Sequence, residues 1–548
     1  MADSEAITPA TSTGRKKEEC ELVSPLKHTP STQTGPASVQ QQPNRITTRQ
    51  FVGMAVGSSI GAGLFVASGI ALQKGGPGSL VLAFLLLGPF VWHTMCALAE
   101  LSATFPAGGS FYDYAFRFIS RSWGFAMGWD YVLNWHLMMP FEITVIMILL
   151  EYWHPEEPAR YLLIAAVGLL GALGLIQYCG SKIYGEVEFI CGFVKLAVLS
   201  AFTITAFVKT GEAGNMGFEN YLHGAAFLNG FRGFLGVFVS TGLAYGGVEA
   251  LGLVTRECEH PRRVLALSTW IVALRICFLY VVAPFCIGLI LKPSQLLSDE
   301  FKGPQLVSPF VAAVKVNNIP YMDHVINGIL VVCVFSMANA ATFAASRSLA
   351  AICGKGLGPG LFSKLTGRRE IPLSALAVVF LFSLLVFFTA VPKGSLIFDW
   401  LISLASVANY FTWITINWAH IRVRQAIRHQ GRNINELQWR APMSEWGSYV
   451  SIVAFVTVMI CQIVSYILPP VLESEAGDSR VGLAFQGLLG FIIFSLLFFG
   501  HLMYVALQGG TSWRERLLIP LRDISLPELD AARSSDEIVE KNESSSLA

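Results

Sequence analysis

The stretch Gly57-Ser58-Ser59-Ile60-Gly61-Ala62-Gly63 interrupts an apolar run over residues 51–72, named span 1 here. Unpaired backbone inside a bilayer is tolerated only where protein or a water-filled cavity satisfies it. An unwound turn there would free N–H groups for a carboxylate and carbonyl groups for an ammonium. The alternative is tight helix packing through small residues, and this stretch alone leaves both interpretations open.

A second interruption, from Thr241 to Glu249, lies in the apolar run 234–254, named span 6. It reads TGLAYGGVE, with an aromatic residue beside the glycine pair and a carboxylate just after it. Spans 1 and 6 open two blocks of five spans each, and an odd block length inserts the second copy upside down. Paired broken helices at matching positions of an inverted repeat predict a substrate site near the middle of the membrane.

Similar apolar runs recur along the whole chain, each long enough to cross about 30 Å of hydrocarbon. They predict twelve transmembrane spans, numbered in order: 51–72, 79–101, 123–150, 161–180, 188–208, 234–254, 269–291, 325–352, 373–391, 397–420, 448–468 and 481–507. The predicted fold class is therefore an all-α polytopic membrane protein, with a 5+5 inverted repeat and two extra helices.

The composition agrees with a bilayer as solvent. Of the 548 residues, 53% are hydrophobic and 14% are charged, against about 25% charged in an average soluble domain. A net charge of +1 gives no reason to expect nucleic-acid binding. The ten cysteines show no metal-binding spacing, and no nucleophile–base pair or phosphate loop is present, so we expect no cofactor, no metal and no enzyme activity.

The positions of Lys and Arg set the predicted orientation, because cytoplasmic loops carry the excess of these residues. The basic set includes Arg117, Arg121, Arg262 and Arg263, and it places both termini in the cytoplasm. We expect a disordered N-terminal tail over 1–49 and a transporter domain over 50–507, followed by a C-terminal tail over 508–548. Within the transporter domain, 51–208 would form the first repeat, 234–420 the second repeat and 448–507 the extra helices.

Ionisable residues inside spans are costly and tend to face the bundle interior, so they indicate function. Four were singled out: Glu100, Glu142, Lys195 and Glu249. Glu100 lies at the inner end of span 2 and suggests a structural role at the interface. Lys195 could snorkel to the interface or act as a titrating cation near the broken helices.

Polar residues in spans 8 and 10 are further pocket candidates. The set comprises Ser336, Asn339, Ser403, Ser406, Asn409 and Thr412. Hydrogen bonding between helices explains each of them equally well.

Several motifs, read together, resemble the fungal amino-acid permeases of the amino acid–polyamine–organocation superfamily. They are GSSIGAGLFVASGIAL and GGPGSL in span 1 and its loop, AELSATFPAGGSFYDYAFRFISRSWGFAMGWDYVLNWHLMMPFEI across spans 2 and 3, GEVEFICGFVKLAVL in span 5, LAYGGVEALGLVTRECEHPRR from span 6, and MANAATFAASRSLAAICGKGLGP in span 8. The resemblance runs in order from about Ile46 to Tyr504.

The resemblance implies alternating access around a central amino-acid site. The substrate carboxylate would meet the span 1 break, and the ammonium would meet carbonyl groups of span 6. The residues implied are Ser59, Ile60, Gly61, Ala62 and Gly63 in span 1, Ala244, Tyr245 and Val248 in span 6, and the candidate lining residues Asn339, Asn409 and Thr412. Tyr245 would gate the pocket from outside. Lys195 matches a lysine that takes the place of sodium in proton-coupled relatives, and Glu142 and Glu249 are the other proton-coupling candidates.

The leading hypothesis is an importer of amino acids and protons at the plasma membrane, with ubiquitylation of the cytoplasmic tails as a regulatory expectation. Alternatives are a transporter of a related amine, such as a polyamine or γ-aminobutyrate, and a non-transporting sensor on the same scaffold. The short N-terminal tail argues against the sensor. Gly247-Val248-Glu249 replaces the family's small-Thr-Glu pattern, and Asp130 and Asn134 depart from the span 3 motif, so substrate identity stays open.

Overall fold

The computed structural model describes residues 46–57, 59–105, 110–153, 158–212, 218–222, 224–254, 258, 261–296, 308–390, 394–468, 480–508 and 516–529. The predicted N-terminal tail lies outside this range up to residue 45, as does Ser58 of the first interruption. Across the described ranges the chain is helical, apart from two isolated β-bridges.

Helices occupy every predicted span. In order, the bounds are Thr48–Gly57 and Ala62–Phe65 for span 1, Ala67–Thr104 continuing from span 1 through span 2, Arg121–Glu151 for span 3, Pro158–Tyr178 for span 4, Ser181–Glu212 for span 5, Gly230–Tyr245 and Ala250–Val254 for span 6, Pro261–Arg275 with Ala283–Ile290 for span 7, Met322–Gly354 for span 8, Leu373–Ser383 for span 9, Gly394–His429 for span 10, Ser444–Ile467 for span 11 and Arg480–Gln508 for span 12.

Eight of the described helices are long and apolar enough to cross a membrane, and two shorter apolar helices correspond to spans 4 and 9. Span 1 is interrupted at the predicted place. Span 10 carries buried polar residues such as Ser406, Asn409 and Asn417, which lower its hydropathy. The chain is therefore an all-α, multi-pass membrane protein.

Spans 1 and 2 meet at a tight junction. Two helices join at Gly76, whose non-helical backbone has φ 79° and ψ 171° and lies between the two predicted spans. A Cβ at this position would meet the Ala226 carbonyl oxygen at 2.7 Å. Glycine meets both demands, because it adopts positive φ without steric cost and leaves room for the neighbouring backbone.

Glycine contacts bring spans 1 and 5 together before the interruption. A Cβ on Gly57 would lie 2.6 Å from the Cα of Gly192, and a Cβ on Gly192 would lie 2.7 Å from the Gly53 carbonyl oxygen. After the interruption, a Cβ on Gly63 would lie 2.6 Å from the Cα of Ala244 in span 6. Small-residue packing therefore operates on both sides of the break, and the break exists as well.

The C-terminal end of span 2 is fixed by Glu100. Its carboxylate accepts two hydrogen bonds from Arg424 of span 10, at 2.7 and 2.6 Å, and one from the Ala441 amide at 2.7 Å. His420 lies 3.0 Å away. These contacts give Glu100 a structural role, joining span 2 to span 10 and to the segment before span 11.

Residues 516–529, named the C-terminal segment, pack against the residues before span 3 and the C-terminal end of span 10. Ile524, Leu526 and Leu529 are buried. The Ile519 amide donates to the Ile119 carbonyl at 2.8 Å, and Arg117 forms an ion pair with Glu528. The predicted C-terminal tail thus contains a docked portion.

Candidate functional site

Side chains from other spans form hydrogen bonds with the backbone groups at the break in span 1. The ammonium of Lys195 donates to the Gly57 carbonyl at 2.8 Å, where the first half of the span ends. The Ala62 amide, where the second half begins, donates to Glu142 Oε2 at 3.2 Å. A cation thus caps the carbonyl end and a carboxylate caps the amide end, as the helix dipoles favour. This arrangement is a built polar site at the predicted place.

Gly61 holds the tightest position in this break. A Cβ added to it would lie 2.6 Å from Met337 Cγ and 3.0 Å from Glu142 Oε1. Ser59 and Ile60 are buried beside it. Any larger residue would have to displace span 8, through Met337, or the Glu142 carboxylate of span 3.

Span 6 breaks at Gly246 and Gly247, and its helix resumes at Ala250. Gly247 has φ 91°, a conformation that side-chain-bearing residues rarely adopt. A Cβ there would touch Trp135, Met337 and Ser59 at 3.3 to 3.5 Å. The two breaks therefore face each other, with Met337 contacting both.

Span 10 supports the break in span 6. Asn409 donates to the Gly242 carbonyl and accepts a hydrogen bond from Asn134, both at 3.2 Å. Its amide group also lies so close to Gly246 that a Cβ on this glycine would meet Nδ2 at 2.1 Å. Thr412 is buried three residues further along span 10. Asn409 thus positions the break, in addition to any contact with a ligand.

Tyr245 joins the two breaks through a second tyrosine. Its hydroxyl donates to the Phe84 carbonyl at 2.9 Å, and its ring stacks on Tyr280 with centroids 4.7 Å apart. Tyr280 in turn donates to the Ser59 carbonyl at 3.0 Å. The ring of Tyr245 therefore packs towards spans 2 and 7 and holds the first half of span 6 against them.

Glu249 follows the break in span 6 and is buried. Its Oε2 atom accepts a hydrogen bond from the Trp413 indole at 3.3 Å. Ala244 and Val248, the other candidates of this break, are also buried. The carboxylate thus lies between spans 6 and 10 rather than at the interface.

Several polar atoms around the breaks have no hydrogen-bond partner among the described residues. They are Ser59 Oγ, Trp135 Nε1, Glu142 Oε1 and Glu249 Oε1. Buried polar groups are normally satisfied, so an exception calls for an explanation. A set of unpartnered donors and acceptors beside two broken helices is what a polar ligand site requires.

Asn339 of span 8 has a different environment. Its amide nitrogen donates to Glu188 Oε1 at 2.9 Å, and its amide oxygen accepts from Gln177 at 2.9 Å. Both ends of the Asn339 side chain thus form hydrogen bonds between spans 4, 5 and 8.

The buried ionisable residues that the four singled out from the sequence leave out include Glu188 and Arg275. Both fall inside predicted spans, so the same rule applied without exception would have found them. Arg275 donates to the Ala55 carbonyl at 2.9 Å and lies beside the Tyr280 ring. Trp135 and Met337 carried no comparable signal, because an aromatic residue or a methionine in an apolar run looks like packing.

A narrow cavity lies next to the breaks. Its lining combines Met54 of span 1, Trp135 of span 3, Tyr184 of span 5, the second half of span 6, and span 8 at Ala340, Phe343 and Ala344. Tyr184 and Phe343 stack with centroids 4.1 Å apart. The spans that carry both breaks therefore also line this cavity.

Comparison with known proteins agrees with this architecture. The family model described as amino acid permease matches residues 50–508. An uncharacterized amino-acid permease of Schizosaccharomyces pombe is 35% identical over 460 residues, covering 82% of this chain and 77% of the relative. The amino-acid permease inda1 of Hypocrea atroviridis is 34% identical over 80% of this chain and 77% of its own.

A third relative extends the match. The amino-acid permease GAP3 of Candida albicans is 32% identical over 492 residues, covering 88% of this chain and 79% of its own length. The matched region contains both broken spans, Lys195, Glu142 and Glu249. This chain is a member of the amino acid permease family.

Proposed function

We propose that this permease imports amino acids together with protons across the plasma membrane by alternating access. The observation that carries the proposal is the pair of facing helix breaks with unpartnered polar atoms around them. A zwitterion suits this site, because one break offers amide groups and the other offers carbonyl groups.

The substrate carboxylate would bind at the amide end of the span 1 break, over Ser59 to Gly63. Its ammonium would bind carbonyl groups of Ala244, Tyr245 and Val248. Asn409 and Thr412 would face the substrate from span 10, and Asn339 would act from below through Glu188. These assignments rest on the resemblance and on the close approach of the two breaks.

Glu142 suggests how protons enter the cycle. Its carboxylate accepts the Ala62 amide hydrogen that a substrate carboxylate would need. Two carboxylates in one buried position repel each other, so substrate binds more favourably when Glu142 carries a proton. Coupling then follows from a difference in substrate affinity between two protonation states.

Lys195 supplies the second element of coupling. In its charged form the ammonium holds the end of the first half of span 1 against span 5 through the Gly57 carbonyl. Loss of the proton would weaken that contact and favour opening towards the cytoplasm. Glu249, on the second half of span 6, is the third candidate for this proton traffic.

One observation favours a second candidate, the transport of an amine that lacks an α-carboxylate. The Glu142 carboxylate already occupies the amide end of the break, so a purely cationic ligand would meet no competitor there. Competition separates the two: polyamines, which carry no carboxylate, would then inhibit uptake better than α-amino acids or the zwitterion γ-aminobutyrate.

The test is uptake of each labelled amino acid into a transport-deficient cell, with amines as competitors. We expect uptake to rise as the external pH falls from about 7 to about 5 and to collapse with a protonophore. Uptake that is unaffected by pH and protonophore would contradict symport. Displacement by amines alone would contradict the amino-acid assignment.

A further inference from the structure

Glu188 is a buried carboxylate with a built environment. It lies in the inner half of span 5, and only 1% of its surface is exposed. Ser336 Oγ donates to its Oε2 atom and Asn339 Nδ2 donates to its Oε1 atom, both at 2.9 Å. Gln177 of span 4 holds the Asn339 amide in the orientation that presents its nitrogen to Glu188. Two polar side chains of span 8 thus bond the carboxylate, and a third from span 4 holds one of them in place.

The cation that faces this carboxylate is Lys195. The two residues are seven positions apart in one helix, which places them on the same face about two turns from each other. The Lys195 charge interacts electrostatically with Glu188 and also with Glu142. In the described part of the chain neither carboxylate forms a direct ion pair with it. Lys195 therefore lies between a carboxylate at the break and a carboxylate on the cytoplasmic side.

The other groups that face Glu188 are neutral or weakly acidic. Tyr184 and Cys191 lie on the same span and interact electrostatically with it. Span 8 contributes Ser336 and Asn339, with Cys333 near Lys195, and span 4 contributes Gln177. Among these described neighbours, Lys195 is the group that can hand a proton to a carboxylate.

We propose that Glu188 is the acceptor that receives the proton from Lys195 on its way to the cytoplasm. The step transfers one proton from the Lys195 ammonium to a carboxylate oxygen of Glu188, leaving a neutral amine and a carboxylic acid. No other bond changes and no further reactant is needed. This inference rests on the proton symport proposed above.

The trigger is the contact between Lys195 and the Gly57 carbonyl. While the first half of span 1 lies against span 5, that carbonyl stabilises the ammonium. When this half-helix moves away, the ammonium loses its acceptor inside a low-dielectric interior, where an unpaired charge is costly. Transfer to Glu188 removes both buried charges at once. The acid then releases the proton to water that enters from the cytoplasm.

The experiment uses the full chain, purified and reconstituted in liposomes that contain a pH-sensitive dye. An equimolar mixture of ¹⁴C-labelled amino acids serves as substrate, and three quantities are measured: net uptake under an inward proton gradient, acidification of the lumen, and exchange against preloaded amino acids. Glu188→Gln keeps the size and most hydrogen bonds of the side chain. Glu212→Gln, at the exposed outer end of the same span, is the matched control.

For Glu188→Gln we expect net uptake and acidification to fall at least about tenfold, with exchange within about twofold of wild type, because exchange needs no proton release. Glu212→Gln should match wild type in all three quantities. Unchanged net uptake and pH profile in Glu188→Gln, or an equal loss of exchange, would overturn the inference. A wild type that shows no proton movement would instead refute the proposed symport.

A second variant covers the case in which Glu188→Gln does not fold. Ser336→Ala removes one hydrogen bond to the carboxylate and leaves its charge in place. We expect a shift in the external pH of half-maximal uptake without loss of exchange. A wild-type pH profile in Ser336→Ala would count against Glu188 as a proton acceptor.

Discussion

At the scale of single residues, the molecule concentrates its chemistry on a few buried charges. Glu142, Glu188, Lys195 and Glu249 are each at most 1% exposed. Lys195 and Glu142 bond opposite ends of the same break, so their charges oppose the partial charges of the backbone there. The effect of a substitution therefore depends on which end of the break it disturbs.

Gly61→Val should abolish uptake, by about a hundredfold or more, while leaving surface expression largely intact. The added side chain would collide with Met337 and displace the Glu142 carboxylate. Gly168→Val, in span 4, is the control, because a Cβ there meets nothing within 4 Å. Radiolabelled uptake corrected for surface protein measures the effect. Normal uptake by Gly61→Val would refute the site.

Lys195→Met keeps the length of the side chain and removes its charge. We expect it to eliminate accumulation against a gradient while sparing some substrate binding, because the Gly57 carbonyl loses its charged partner. Lys209→Met, in the last turn of span 5, should accumulate substrate normally. If Lys195→Met still concentrates substrate with an unchanged pH dependence, Lys195 is structural and coupling lies elsewhere.

At the scale of elements, sequence periodicity and composition predict the spans well and their edges less well. The sequence predicts span 10 over 397–420, whereas its helix runs from Gly394 to His429, because its C-terminal end is charged and hydropathy detects only the apolar part. The interruptions at Gly61 and Gly247 could be predicted because glycine pairs are local signals. Met337 and Trp135 could not, since their role depends on which helix they meet.

Tyr245→Ala should weaken apparent affinity and relax selectivity, as expected when a closing element is lost. The physical reason is the loss of both the Phe84 hydrogen bond and the Tyr280 stack, which hold span 6 near the Ser59 carbonyl. Tyr245→Phe keeps the stack, and its apparent affinity should lie between that of Tyr245→Ala and that of the wild type. Competition for uptake by a panel of amino acids measures the selectivity of each variant. Profiles identical to that of the wild type would show that Tyr245 serves only packing.

At the scale of the whole molecule, the ends of spans 2 and 10 and the residues before span 3 are tied together by polar contacts that apolar patterning does not reveal. Glu100 joins spans 2 and 10, and the C-terminal segment joins span 10 to the loop before span 3. Gln430 donates to the Ile524 carbonyl at 2.8 Å, and Arg117 bonds both Glu528 and the Ser525 carbonyl. The sequence predicted a tail here, because pairings between distant charges leave no periodic pattern.

The docked C-terminal segment can be tested by a charge exchange. With Leu526→Cys as a buried reporter, labelling by a membrane-impermeant maleimide in inside-out vesicles should rise about tenfold when Glu528→Arg is added, since like charges then face Arg117. Adding Arg117→Glu should restore protection. Equal labelling in all three backgrounds would show that this ion pair does not hold the segment.

The glycine contact between spans 1 and 5 has a mechanical consequence. Interlocked side chains resist sliding because each ridge must climb out of its groove, whereas Gly57 and Gly192 meet as two nearly smooth backbones. This contact offers little steric resistance to sliding. Charged groups hold the two spans together instead, through Lys195 at one end and the Arg49–Glu186 pair at the other. If the proposed proton coupling holds, the packing of the two glycines leaves spans 1 and 5 free to slide, and the charge of Lys195 sets when they do so.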